Sequence, residues 1–216
     1  MKSDLRRQAI HISMGLLTLL LRFVTKREAL GVCLLALFSG LYLLRPNGIL
    51  KLGFKAMARE EDEKVGFLIG PLIYILTTTL CLAIFPIGFA GASMMIMAFG
   101  DGFSSIFGKK FGNHRISYNR KKTLEGSLAF VIFAFLASSF IMNFVSKPQV
   151  EVYEIFKLAL AGSFLGAFLE SLPFESLRGE TDLSSKRYLV RRMVFDDNFF
   201  VPIFSGFFIY LVYLVS

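Results

Sequence analysis

The sequence predicts an all-α, polytopic integral membrane bundle of about seven transmembrane helices, folded as a single membrane-embedded domain over residues 1–216. Three observations carry that prediction. Hydrophobic residues make up 55% of the chain and charged residues only 19%, with mean hydropathy +0.61, against roughly 45–50% and about 25% in average globular chains. The apolar residues are gathered into long runs parted by charged loops, and a spanning helix needs about 20 such residues. The basic residues fall mostly on alternate loops, as the positive-inside rule requires. This composition excludes a water-soluble domain, a disordered chain, a collagen-like repeat and a disulfide scaffold. The two cysteines, Cys33 and Cys81, sit inside apolar runs, where a thiol acts as a small hydrophobe. A net charge of +8 and a pI of about 9.6 would point to nucleic acid in a soluble chain. Membrane topology accounts for them here, and no nucleic-acid partner is expected.

In chain order the runs are 10–24, broken by Arg22, then 29–44, 65–85, 87–99, 127–145, 155–173 and 199–215. The third, fifth, sixth and seventh have the length to cross. The first, second and fourth are short and must tilt, thin the bilayer locally or extend into their flanks. The basic start at Lys2, Arg6 and Arg7 has the look of a signal peptide, but it lacks a small-residue cleavage pattern and a second apolar run follows at once. With the N-terminus inside, the cytoplasmic segments collect Lys2, Arg6 and Arg7; Arg45, Lys51, Lys55, Arg59 and Lys64; Lys109, Lys110, Arg115, Arg120, Lys121 and Lys122; and Arg178, Lys186, Arg187, Arg191 and Arg192. The other side keeps Arg22, Lys26, Arg27 and Lys147, with Lys157 just inside the sixth run. The bias places the C-terminus outside. Lys51, Lys55 and Arg59, spaced by four beside Leu50, Phe54 and Met57, suit a helix lying on the inner leaflet. Its acidic end at 60–63 reads as solvated surface.

The placement of carboxylates is the first chemical signal. Asp101 ends the fourth run, Glu125 precedes the fifth, Glu170 lies inside the sixth near its inner end and Asp197 precedes the seventh. Ionisable groups at membrane depth are costly and mark function, and Glu170 has the most apolar neighbours; its alternative is a salt bridge to a loop arginine. Between Asp101 and Glu125, Gly100, Gly102, Gly108 and Gly112 let backbone approach a ligand, Ser104 and Ser105 offer hydroxyls, and Lys109, Lys110, Lys121 and Lys122 offer charge, with Thr123 and Gly126 following. Read as a loop, this stretch can hold a polyphosphate. It is neither a Walker A sequence nor a dinucleotide fingerprint. Acidic groups repel phosphate unless a divalent cation stands between, and Mg²⁺ takes only one or two carboxylates plus phosphate oxygens. Arg7 and His11, four apart, share a helix face, and Asp196, Asp197 and Asn198 read as a helix cap ahead of Pro202.

These residues together resemble the CTP-dependent lipid kinase family that contains dolichol kinase, phytol kinase and a diacylglycerol kinase of the same type. The resemblance covers most of the chain and rests on Arg7-x-x-x-His11, on Gly100-Asp101-x-x-Ser104-Ser105-x-x-Gly108-x-x-x-Gly112, on Lys121-Lys122-Thr123-x-Glu125-Gly126, and on Glu170 followed by Asp197-Asn198-x-x-x-Pro202. Gln8 stands where the family often has lysine, and Gly102 where it more often has Thr or Ala. The middle blocks are also similar to phosphatidate cytidylyltransferase, but the Lys-Asp, His-Gly-Gly and Asp-Arg-x-Asp signature of that family is absent and no histidine follows His114.

The resemblance implies transfer of the γ-phosphoryl group of CTP, with Mg²⁺, to a membrane lipid alcohol at the cytoplasmic face: a dolichol or polyprenol, phytol or another isoprenoid, or diacylglycerol. Under it, Asp101 and Asp197 contact the metal, and Lys122 with Lys109 or Lys110 neutralises phosphate. Arg7, Lys121, Ser104, Ser105, Thr123, Asn198 and the glycines at 100, 108, 112 and 126 complete the nucleotide site. Glu125 or Glu170 orients or deprotonates the lipid hydroxyl, and His11 joins the catalytic set. The expected location is multi-pass, in the cell membrane of a prokaryote or the endoplasmic reticulum of a eukaryote. An ion-coupled transporter is the reading from another class, but transporters keep such charges nearer the midplane.

Overall fold

The computed structural model describes residues 2–43, 68–145, 150–174 and 195–216, together with positions 62, 66 and 191. The surface helix expected around Lys51, Lys55 and Arg59, and the loop around Arg178, Lys186 and Arg187, lie outside the described residues. Seven α-helices and one short hairpin make up the described chain: α1 (Lys2–Leu16), α2 (Lys26–Leu43), α3 (Ile69–Ile84), α4 (Ile87–Phe111), β1 (Arg115–Ile116), β2 (Asn119–Thr123), α5 (Leu124–Val145), α6 (Val152–Ser171) and α7 (Asp197–Val215). A 3₁₀ turn, Leu17–Arg22, continues α1, so the first apolar run is not one α-helix.

Local chemistry sets the boundaries. Glu28 accepts from the Thr25 backbone N–H at 2.7 Å while Thr25 Oγ1 accepts from the Glu28 N–H at 3.3 Å, a reciprocal capping box that starts α2. Pro86 drives Phe85 into extended backbone and ends α3, and α4 begins directly after it. Asp196 caps α7 by accepting from the Asn198 N–H at 3.0 Å.

Among the described residues, four helices are long and apolar enough to cross a membrane: α4, α5, α6 and α7. The fourth run, expected to be short, is the longest helix at 25 residues, whereas α3 is apolar over only 16. The stretch from Gly100 to Phe111, read from its glycines as a loop, is the second half of α4. Phe99, Phe103, Phe107 and Phe111, spaced by four, carry the helix on: each ring meets the next at 5.6–6.5 Å, and Phe103 stacks on Phe133 of α5 at 3.8 Å.

Helix α4 is the axis of the bundle and packs against α1, α3, α5, α6 and α7. Small residues permit this crowding. A Cβ on Gly162 or Gly166 of α6 would stand 2.9 or 2.8 Å from the Ile96 side chain of α4, the close approach that a Gly-x-x-x-Gly spacing allows.

The β1–β2 hairpin departs from the all-α expectation. It joins α4 to α5 through a Ser117–Tyr118 turn and is tied to the end of α6, where Tyr118 Oη and Ser171 Oγ lie 2.7 Å apart and Asn119 Nδ2 donates to the Ser171 carbonyl at 3.0 Å.

Candidate active site

The fold brings three of the four singled-out carboxylates to one place. Asp101 comes from the middle of α4, Glu170 from the last turn of α6 and Asp197 from the first turn of α7. The hairpin delivers Lys122 among them. Its Nζ pairs with Glu170 Oε1, which also accepts from Ser104 Oγ at 3.3 Å, and Glu170 is only 2% exposed. Burial works to lower the pKa of Lys122. The charges of Glu170, Asp101 and Asp197 outweigh it and hold the lysine above its ordinary range, which favours its charged form.

Two adjoining cavities flank this cluster. The first, about 250 Å³, lies between α1, α3, α4 and α7 and is lined by Arg7, His11, Tyr74, Asp101, Asp197 and Asn198 among others. The second, about 310 Å³, lies between the end of α4, the hairpin and the start of α5, where Lys109, Arg115, Lys121 and Lys122 line it. Ser105 and Lys122 border both. The first is thus rich in carboxylates, and the second is cationic apart from Glu170.

His11 Nε2 stands 3.8 Å from Asp101 Oδ2, beyond hydrogen-bond reach. Within the first cavity three buried polar atoms on three helices have no hydrogen-bond partner among the described residues: His11 Nε2, Tyr74 Oη and Asn198 Oδ1. Buried polar groups are nearly always paired, so three such atoms lining one cavity leave it able to hydrogen-bond a ligand. Asn198 Nδ2 donates to Asp196 Oδ1 at 2.8 Å, which fixes the amide. Pro202, four residues on, has no N–H to give the Asn198 carbonyl.

The second cavity is shaped by a crossing of α4 and α5. A Cβ on Gly126 would fall 3.1 Å from the Ser104 carbonyl oxygen, and one on Gly108 would fall 3.0 Å from Thr123 Oγ1. Thr123 Oγ1 accepts from the Gly126 N–H at 3.1 Å and so caps α5. Gly112, at the end of α4, lines the same cavity.

Four of the sequence candidates line neither cavity, Gly102 among them, where a Cβ would meet Ile12 at 2.6 Å. Gly100 makes room for the Phe130 ring, which a Cβ there would meet at 2.6 Å. Lys110 lies over the Phe111 ring, 5.1 Å from its centroid. Glu125 accepts from the Asn113 and His114 backbone N–H groups, both at 3.1 Å, and lies 2.7 Å from His114 Nδ1. It therefore anchors the loop that sets the hairpin in place.

Sequence reasoning missed Tyr74, hidden in an apolar run, and Arg115, which counted only as a loop charge. Among the described residues no group of three His, Cys, Asp or Glu side chains forms a ready-made metal site.

Comparison with known proteins gives consistent results. The chain is 31% identical over 190 residues to a probable phytol kinase 1, chloroplastic, of Glycine max, covering 80% of this chain and 61% of that protein. It is 31% identical over 183 residues to a farnesol kinase, chloroplastic, of Arabidopsis thaliana, covering 79% and 58%. It is 33% identical over 159 residues to phytol kinase 1, chloroplastic, of the same plant, covering 68% and 50%. The chain thus spans less than two thirds of the length of these relatives. No family model and no solved structure matches it.

Proposed function

Because the chain belongs to the family of the phytol and farnesol kinases, we propose that it transfers the γ-phosphoryl group of CTP to the hydroxyl of an isoprenoid alcohol, releasing CDP and a lipid monophosphate. The observation that carries this reading is the junction of two cavities of opposite character at Lys122 and Ser105. Phosphoryl transfer asks for positioning and charge neutralisation more than covalent help. The basic cavity supplies neutralisation through Lys109, Arg115, Lys121 and Lys122. Gly108 and Gly126, where α4 and α5 cross, line it without side chains.

Asp101 and Asp197, with Asn198 Oδ1, which has no partner among the described residues, form a donor set that fits Mg²⁺, which takes one or two carboxylates and leaves its other positions to phosphate and water. Bound there, the ion would neutralise phosphate oxygens during transfer. Lys122 faces the transferred group from the opposite side. Glu170, which accepts from Ser104 Oγ, holds that lysine in place, which makes Glu170 a positioning residue. The alcohol oxygen forms the new bond to the γ-phosphorus as the bond to the β,γ-bridging oxygen breaks, and the electron pair leaves on CDP. The hydroxyl proton goes to the His11–Asp101 pair, since Glu125 is occupied at the hairpin anchor and Glu170 by Lys122 and Ser104.

The same reading makes the protein a multi-pass membrane enzyme with its N-terminus and site on the cytoplasmic side, where the basic loops gather. Purified protein in detergent, given CTP, Mg²⁺ and farnesol or phytol, should form CDP only when the alcohol is present. Release of pyrophosphate would select cytidylyl transfer instead, and no alcohol-dependent turnover with any nucleoside triphosphate would overturn the proposal.

A further inference from the structure

We infer that the carboxylate-rich cavity is the acceptor subsite, with the alcohol hydroxyl held by Tyr74 Oη and His11 Nε2 and its isoprenoid chain running away between Met14 and Met97. The inference rests on the kinase reading and assigns one substrate to one cavity. Tyr74 is 7% exposed and its hydroxyl is buried without a partner among the described residues. Its ring meets that of His11 edge to face, with centroids 5.7 Å apart, across the cleft between α1 and α3. A hydroxyl placed there could accept from one of these groups and donate to the other. Four aspartates, Asp62, Asp101, Asp196 and Asp197, line this cavity against two cations, Arg7 and Lys122, so a phosphate reaches it only at the metal-facing junction and its other anionic oxygens go to the cations of the second cavity.

The direction of the chain follows from helix packing. A Cβ on Gly15 would lie 2.5 Å from Ala98, and one on Gly102 would lie 2.6 Å from Ile12, so α1 and α4 run antiparallel. Met14, beyond His11 on α1, and Met97, before Asp101 on α4, therefore lie on the same side of the His11–Asp101 pair, about one helical turn or 5 Å away. Arg7 lies on the opposite side. Along one cavity the lining thus passes from Arg7, through the level of His11 and Asp101, to two methionines, whose unbranched side chains adapt to an irregular apolar ligand. That sequence matches an alcohol entering from the bilayer hydroxyl first.

The experiment uses the full chain in detergent. Tyr74→Phe removes an oxygen that has no partner among the described residues, so the fold is retained. It should raise KM for farnesol about threefold to tenfold, the worth of one uncharged hydrogen bond, and leave KM for CTP within about twofold. Met14→Trp narrows the chain path and should lower turnover of phytol relative to the short alcohol prenol. A rise in KM for CTP with KM for farnesol unchanged, or wild-type values for both in Tyr74→Phe, would overturn the assignment while the kinase reading stands. So would a phytol-to-prenol ratio unmoved by Met14→Trp. Should that bulkier variant not fold, the KM split of Tyr74→Phe decides alone. A wild-type protein that phosphorylates no alcohol would instead remove the kinase reading.

Discussion

The two cavities share Lys122 and Ser105 yet are built differently. The carboxylate-rich one takes its walls from four helices widely separated in sequence, α1, α3, α4 and α7. The cationic one is nearly local: except for Glu170 its lining comes from residues 104–127. The local cavity is therefore written as a compact motif, whereas the other is spelled out in single residues that only the tertiary fold assembles. Under the proposed reading the difference also separates the tasks, with cations for a phosphate chain on one side and, on the other, polar atoms that have no partner among the described residues for a hydroxyl and a metal.

The sharpest way to break this division is Asp101→Asn. It should cut transfer about a hundredfold to a thousandfold, as loss of a preorganised transition-state contact does, while the unfolding temperature stays unchanged; CDP release and a thermal melt check both. Next comes Lys122→Met, which leaves Glu170 as an unpaired buried charge and should cost about 3 kcal/mol of stability as well as activity. Adding Glu170→Leu should restore the stability but not the turnover, so the two roles of the pair separate in a denaturant titration. Arg115→Ala touches the cationic cavity alone. It should raise KM for CTP about tenfold, more at low salt, with KM for the alcohol unmoved.

Glu125→Gln keeps an acceptor for the Asn113 and His114 N–H groups and should retain most activity, whereas Glu125→Ala should lose about 1 kcal/mol and raise KM for CTP as the hairpin loosens. Near-complete inactivation by Glu125→Gln would make it a base after all. The smallest effect concerns pH. Lys122 is held above the ordinary lysine value of about 10.4, so its charge and the stabilisation it brings are complete below that value and are lost only as pH rises through the higher one. Activity should therefore show no loss from Lys122 up to about pH 10. An alkaline limb below that, shifted by Lys122→Arg, would contradict the assignment.

Much of this was legible in the sequence. The runs that became α5, α6 and α7 were clear because unbroken apolar length is the strongest signal a membrane helix gives. Asp101, Glu170 and Asp197 stood out because charge at membrane depth is costly. The second half of α4 was misread because Gly100, Gly102, Gly108 and Gly112 are poor helix formers in water, while the four-residue spacing of Phe99, Phe103, Phe107 and Phe111 carried the better signal. The hairpin was too short for its alternation to register. Tyr74 was invisible because, within an apolar run, nothing distinguishes a tyrosine facing a cavity from one facing neighbours. Glu125 was credited with chemistry since capping of a preceding loop leaves no mark beyond the residue itself.

The place of α7 after the hairpin and α6 has a consequence for biogenesis. Translation completes the crossing of α4 and α5 before Asp197 and Asn198 leave the ribosome. A nascent polypeptide that had not yet reached α7 would, under the proposed reading, carry the cations for the nucleotide without the carboxylate and amide of the other cavity. Under that reading, turnover waits on the insertion of α7.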